Sequence, residues 1–256
     1  MMDNVNIVSL GVGVQSSAML LMAMTGHIKP KPEVAIFADP GWESESTYNY
    51  LSYLKKISTI PIIVTNNGNI RKSLINSNNR FASLPFFTEN GGLGRRQCTN
   101  EYKIVPTIRA IRKYLNYDKN QRVKHKVNLW LGISTDESIR MKPSRTSWIT
   151  NTYPLIDKRL NRSQCISWLK TNNFNIPTKS SCIGCPFHSD TTWLDMKNNQ
   201  PSEFVDAVLV DKALRIDSKF KQKQYLHRSC IPLNDVDFNE NQTDLFGNEC
   251  EGHCGL

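Results

Sequence analysis

An α/β fold, with a parallel sheet flanked by helices on both faces, is what this sequence predicts, and three observations carry the prediction. Short apolar runs at 5–10, 33–38, 60–64 and 127–133 alternate with helix-like stretches at 16–25, 43–57 and 101–115. Such alternation marks βαβ units, whose crossover helices cover both faces of the sheet. A chain of 256 residues is also long enough to bury a substantial core without disulfide staples.

The elements follow in chain order. Val5, Ile7, Val8 and Leu10 suit a strand, Gly11 and Gly13 allow backbone angles that other residues resist, and Ser16 and Ser17 fit a helix N-terminus. The run EVAIFA at 33–38 reads as a second strand leading into Asp39–Trp42, and IPIIV at 60–64 as a third. Both Gly11–Gln15 and Asp39–Trp42 follow strand ends, so they are expected in one cleft. The Asn- and Ser-rich piece 66–80 and the glycine loop 90–94 read as irregular connections. From about 160 the alternation stops, and helices at 162–172, 190–199 and 201–216 lead into an aperiodic tail. The expected division is therefore a nucleotide-binding α/β part over 1–160 and a small, mostly helical, cysteine-containing part over 161–256.

Composition narrows the class. No run approaches the 18 apolar residues of a membrane span, and the N-terminus enters a strand at once, so no membrane association and a cytoplasmic location are expected. The net charge is +9, yet the residues after Cys230 hold six acids and no Lys or Arg, which leaves 32 − 17 = +15 on residues 1–229. That excess favours a polyanionic partner, with nucleic acid the first choice. Arg95, Arg96, the Lys119–Lys126 stretch, Arg140 to Arg145 and Lys219 to Lys223 are the candidate contacts.

The first strand, turn and helix together form an anion cradle, because unpaired N–H groups and the positive end of the helix dipole point at one spot. Its strength is limited. A helix terminus contributes about 0.3–1 kcal/mol to one charge, against about 8 kcal/mol for micromolar affinity, so cationic side chains and a metal must share the task.

The loop is neither GxxxxGK[ST] nor GxGxxG. SLGVGVQSSAMLLM resembles the pyrophosphatase loop of the adenine nucleotide alpha-hydrolase superfamily, a Rossmann-like fold. It is most similar to the variant in phosphoadenylylsulfate (PAPS) reductases, with Gln15 where the usual SGGxDS pattern has aspartate. The resemblance continues through ADPGWESESTYNYL, RRQCTNEYKIVP, WLGISTDESIRMKPS, YPLID and CIGCP in family order. It implies cleavage of ATP between the α- and β-phosphates with Mg²⁺, adenylation of a substrate and subsequent sulfur transfer. Matched residue by residue, Ser9, Gly11, Gly13, Gln15, Ser16 and Ser17 would wrap the phosphates, and Asp39 and Gly41 would lie beside the nucleotide or its Mg²⁺. Arg140 and Lys142 would neutralise the departing pyrophosphate. Gln15 can bond but cannot hold a metal as a carboxylate does, so Asp39 is assigned that role, with a turn residue before Pro40-Gly41 as the alternative.

Seven cysteines in a chain read as cytoplasmic argue for thiols or metal ligation. Cys182 and Cys185 form a CxxC, ambiguous alone. The resemblance brings Cys98 to the same end of the cleft, with Cys254 or Cys250 as a fourth ligand, for a [4Fe–4S] cluster or, alternatively, Zn²⁺. Cys165 and Cys230 read as packed side chains. His188 either orders the thiol loop or caps a helix near Asp190, and His253 is a base, a ligand or a surface residue.

The chain looks most like the ATP pyrophosphatase component of DNA phosphorothioation systems. Its expected partners are nucleic acid, DNA before tRNA, and a cysteine desulfurase as sulfur donor, with assembly as a homo-oligomer left open. Three other readings compete: a tRNA thiolation enzyme, a PAPS reductase using a C-terminal cysteine, and a non-catalytic nucleotide-binding scaffold.

Overall fold

The structure is a computed structural model that describes residues 4–76, 84–216 and 222–238. In chain order its strands are β1 (Val5–Ser9), β2 (Val34–Asp39), β3 (Ile62–Asn66), β4 (Phe87–Thr88), β5 (Val127–Leu131), β6 (Ile149–Thr152) and β7 (Gln224–Tyr225). The α-helices are α1 (Val14–Met24), α2 (Glu45–Ile57), α3 (Ile70–Asn76), α4 (Val105–Tyr114), α5 (Pro154–Asp157), α6 (Arg162–Thr171), α7 (Asp190–Asn199) and α8 (Pro201–Ile216). A π-helical segment, Thr99–Ile104, runs directly into α4.

Five strands form one parallel sheet in the order β3-β2-β1-β5-β6. This is the expected α/β architecture, and its sequence pattern explains it. Alternate residues of the near-continuous apolar strands serve two cores: Val8, Phe37 and Trp130 pack with α1, α2 and α6, whereas Ile7, Ile36 and Leu129 pack with α4. Because β1 has β2 on one side and β5 on the other, the chain changes direction across the sheet at β1. The crevice beyond its carboxyl end is the topological switch point, where open α/β sheets bind ligands.

The structure adds to the sequence reading at four places. The piece 66–80 is not wholly irregular, since α3 forms within it and buries Ile70 and Leu74. β6 is a short, partly polar edge strand, ITNT, without an apolar run to announce it. Contacts cross residue 160: α6 lays Cys165 and Leu169 into the α1 core, and a third core joins Trp42, Ile70 and Phe86 to Trp193 and Phe204 of α7 and α8. The C-terminal part also contributes β7, paired antiparallel with β4. Among the described residues no helix is long and apolar enough to cross a membrane.

Candidate active site

The turn after β1 is built differently from the glycine expectation. Gly13 has φ −85° and Gly11 is not among the left-handed positions; the residue with positive φ is Val12, at 63°, buried in the core. A β-branched residue in that region is strained by about 1–3 kcal/mol, and such strain persists where surrounding structure enforces it, commonly at functional sites. Two contacts hold the turn. The Gly11 N–H donates to Ser16 Oγ at 3.2 Å, and Ser180 Oγ–H donates to the Gly11 carbonyl at 2.7 Å. No side chain caps α1, whose first-turn N–H groups face the switch point.

The wall opposite is Gly132, just past β5. A Cβ there would lie 2.7 Å from both the Cα and the N of Ser16. Only glycine lets the β5 end approach the α1 N-terminus this closely, and neither residue spacing nor composition announces that role.

Gln15 is fully buried and its side chain is committed on both atoms. Its Nε2 donates to Glu137 Oε2 at 3.2 Å and Ser134 Oγ at 3.3 Å, while its Oε1 accepts from Arg162 Nη1 at 2.9 Å. Glu137 in turn pairs with Arg140 Nη1 at 2.8 Å. Ser134 Oγ–H donates to Asp136 Oδ1 at 2.5 Å, and Asp136 also accepts from the Arg162 N–H at 3.3 Å. Gln15 thus ties α1 to the segment after β5, and Glu137 places a carboxylate next to the loop whose own position carries an amide. Burial pushes the Glu137 pKa up, against the pull of Arg140. Glu137, Ser134 and Arg162 escaped the sequence reading; the only signal was DESIR, an acid and an arginine three apart.

Arg140 is 8 % exposed and lines, with Lys142, a cavity of about 220 Å³ floored by Ile104, Ile108, Leu129 and Ile149. Lys142 is exposed, and its backbone is clamped by Tyr153, whose hydroxyl donates to the Lys142 carbonyl at 2.6 Å and accepts from its N–H at 2.9 Å.

At the neighbouring strand end, Asp39 Oδ1 accepts from the Gly41 N–H at 2.7 Å and from the Tyr48 hydroxyl at 2.8 Å. Asp39 therefore does shape the turn before Gly41, and both bonds use one oxygen. Burial and this carboxylate push the Tyr48 pKa well up, so the hydroxyl stays protonated and donating. Gly41 has φ 74° and lies against Asn69, a conformation and a space that suit glycine alone.

The same loop continues to the thiols. Glu43 forms a β-bridge with Cys182; its Oε1 accepts from Lys103 Nζ at 3.2 Å and lies 3.9 Å from Cys182 Sγ. Gly184 sits flat on Trp42, where a Cβ would meet the indole at 2.1 Å. His188 Nε2 lies 3.0 Å from the Cys182 carbonyl and orders the thiol loop, while Ser189 caps α7. Cys98, Cys182 and Cys185 line one cavity of about 20 Å³, with Arg96, Thr99 and Lys103. Among the described residues no group of three His, Cys, Asp or Glu stands arranged to hold a metal ion, and Cys254, Cys250 and His253 lie outside them. Three thiols beside Arg96 and Lys103 have the donor chemistry of a thiolate-bound centre, but the cavity they line has room for about one water-sized atom and does not admit an iron–sulfur cluster as it stands. Cys165 is core; Cys230 is only half-buried, with Sγ 3.1 Å from the Thr88 carbonyl, rather than packed inside.

The sequence profile described as the phosphoadenosine phosphosulfate reductase domain matches residues 5–132, half of the chain. Comparison with curated proteins gives no match. Solved structures with a similar fold include the phosphate complex of phosphoadenylyl-sulfate (PAPS) reductase from Candida auris, with 14% identity and a TM-score of 0.47 over 69% of this chain and 76% of that one. Another is the U34-tRNA thiolase NcsA from Methanococcus maripaludis with its [4Fe-4S] cluster, with 13% identity and a TM-score of 0.42 over 86% of this chain and 75% of that one.

Proposed function

The chain belongs to the phosphoadenosine phosphosulfate reductase domain family, and on that premise we propose that it is an ATP pyrophosphatase that adenylates a nucleic acid, DNA before tRNA, for sulfur incorporation. The observation that carries this reading is the uncapped α1 N-terminus at the switch point, closed by Gly132 against the Ser16 backbone. Those N–H groups suit a polyphosphate.

In the proposed reaction an oxygen of the acceptor attacks the α-phosphorus of ATP. The bond to the α–β bridging oxygen breaks, and pyrophosphate leaves with the electron pair. Loop N–H groups, Ser16 and Ser17 hold the phosphates, while Arg140 and Lys142 meet the charge that accumulates on the leaving group. Gln15 and Glu137 orient rather than react: they fix Arg140 and the first turn of α1. Mg²⁺, when bound, would neutralise phosphate charge, and Asp39 is the carboxylate that would hold it, since its hydrogen bonds to Gly41 and Tyr48 use only one of its oxygens. The terminal sulfur of a persulfide brought from a cysteine desulfurase would then displace AMP, leaving the acceptor joined to the carrier through an S–S bond. A second thiol would attack the carrier sulfur, breaking that bond, forming a disulfide and leaving one sulfur on the acceptor. Cys98, Cys182 and Cys185 are the thiols proposed for a [4Fe–4S] cluster or Zn²⁺; either would require them to rearrange from the arrangement described here, and the cluster would also need a larger cavity.

Mass spectrometry of DNA and tRNA from cells with and without the gene tests the reading. A sulfur-bearing nucleotide that vanishes on deletion is expected, and its persistence with the rest of the pathway intact would reject the proposal. The family match itself favours a second reading, reduction of PAPS. Sulfite formed from PAPS with reduced thioredoxin, without ATP turnover, would establish that one instead.

A further inference from the structure

The β6 edge of the sheet carries more positive charge than Arg140 and Lys142 alone bring to the nucleotide site. Segments 112–126 and 140–148 hold nine Lys and Arg side chains against one acid, Asp118. The fold lays them side by side. After α4 the chain wraps the amino end of β5, where Lys126 Nζ donates to the Ser147 carbonyl at 3.3 Å and the Val127 N–H to the Trp148 carbonyl at 2.9 Å. Residues 140–148 therefore run from the catalytic end of the sheet back to its opposite end.

At that far end Arg112, Arg122, Lys124, His125, Lys126 and Trp148 line an open hollow of about 730 Å³. Arg112 shapes it by donating to the carbonyls of Asp118 and Gln121. Arg122, Lys124 and Lys126 are exposed. At the near end Arg140, Lys142 and Arg145 line the cavity beside Glu137. Neither lining includes an Asp or Glu among the described residues.

We propose that this band is a docking track for the phosphodiester backbone of a nucleic acid, with the hollow as a distal clamp that delivers backbone to the Arg140 end. The inference rests on the reading that the acceptor is a nucleic acid. Length selects the occupant. The two ends are separated by the five residues of β5, about 17 Å at roughly 3.3 Å per residue. One nucleotide can engage either end alone; a ligand engaging both must carry negative charge along that length. Phosphates of a stacked strand recur every 3.4 Å or so, which places about five along the band. Trp148 among the cations adds the flat apolar face found in grooves that track a backbone.

The test compares the full chain with two double variants of equal charge change. Arg122→Gln with Lys124→Gln alters the hollow; Lys55→Gln with Lys56→Gln alters exposed lysines in the last turn of α2. Anisotropy of a fluorescein-labelled 20-base-pair DNA duplex is measured between 50 and 200 mM salt, with an unmodified tRNA transcript as a second arm to identify which nucleic acid is preferred. Losing two phosphate contacts lowers the slope of log affinity against log salt by about 1.8, so the advantage of the unmodified chain over the hollow variant shrinks about twelvefold across that range. The α2 variant keeps the unmodified slope, and all three bind α,β-methylene-ATP alike. Equal slope loss in both variants, or loss in neither, would overturn the track while leaving the nucleic-acid reading intact. Failure of the unmodified chain to bind either nucleic acid would overturn both, and equal competition by polyglutamate would assign the band to an acidic polypeptide.

Discussion

Replacing Gly132 with alanine is the sharpest perturbation of the nucleotide cradle. The added Cβ would stand 2.7 Å from the Cα and N of Ser16, whereas ordinary contact begins at 3.4 Å. The obstructing atoms are backbone, so no rotamer change relieves the clash, and either β5 or the first turn of α1 must retreat by about 0.7 Å. Overpacking of this kind costs about 1–3 kcal/mol. For a chain of this size that lowers Tm by about 2–12 °C, at roughly 2–4 °C per kcal/mol. The larger effect falls on binding. Charge-assisted hydrogen bonds are worth about 1.5–3 kcal/mol each, so misaiming a single N–H of the α1 turn weakens α,β-methylene-ATP by at least about tenfold. Differential scanning calorimetry reads the first quantity and titration calorimetry the second. A Gly132→Ala protein with unchanged Tm and unchanged analogue affinity would refute both the close approach and its purpose.

Three further predictions follow from the surrounding side chains. Burial raises the Glu137 pKa, so the folded state holds its proton to higher pH than the unfolded chain does; its contribution to stability is full below the ordinary carboxylate range and is lost as pH rises through the raised value. Glu137→Gln should flatten that fall in Tm against pH, and a variant with the unmodified pH profile would show that another group causes it. Asp39→Asn keeps an acceptor for Gly41 and Tyr48 but removes the charge, so Tm should move by less than about 3 °C while the Mg²⁺ concentration for half-maximal turnover rises about tenfold; an unchanged Mg²⁺ dependence would remove Asp39 from the metal site. Serine at Cys98, Cys182 or Cys185 should each abolish stoichiometric iron or zinc in anaerobically purified protein, and full metal content in all three variants would disconnect these thiols from it.

The sheet was legible because its central strands are near-continuous apolar runs such as VAIFA and VNLWL, as a core on both faces requires. β6 was not, since an edge strand reading ITNT has one covered face and little apolar content. α3 hides among asparagines because, among its described side chains, only Ile70 and Leu74 are buried, too few for a periodic signal. In the site, the loop and the strand-end position of Asp39 could be read locally. The partners of Gln15 could not: Ser134, Glu137 and Arg162 lie 119 to 147 residues away, and only the pairing of β1 with β5 and the packing of α6 on α1 bring them in. Val12 shows the limit of residue-type rules, because the strained position in the turn fell to a valine between two glycines.

Scission of ATP labelled separately in its α- and γ-phosphates, incubated with the purified protein, Mg²⁺ and a DNA duplex, tests the account where it is most exposed. The α label should appear in AMP or joined to DNA, and the γ label in pyrophosphate. Release of the γ label as orthophosphate with ADP, or no scission under any of these conditions, would contradict the assignment of the β1–α1 turn as an ATP pyrophosphatase cradle.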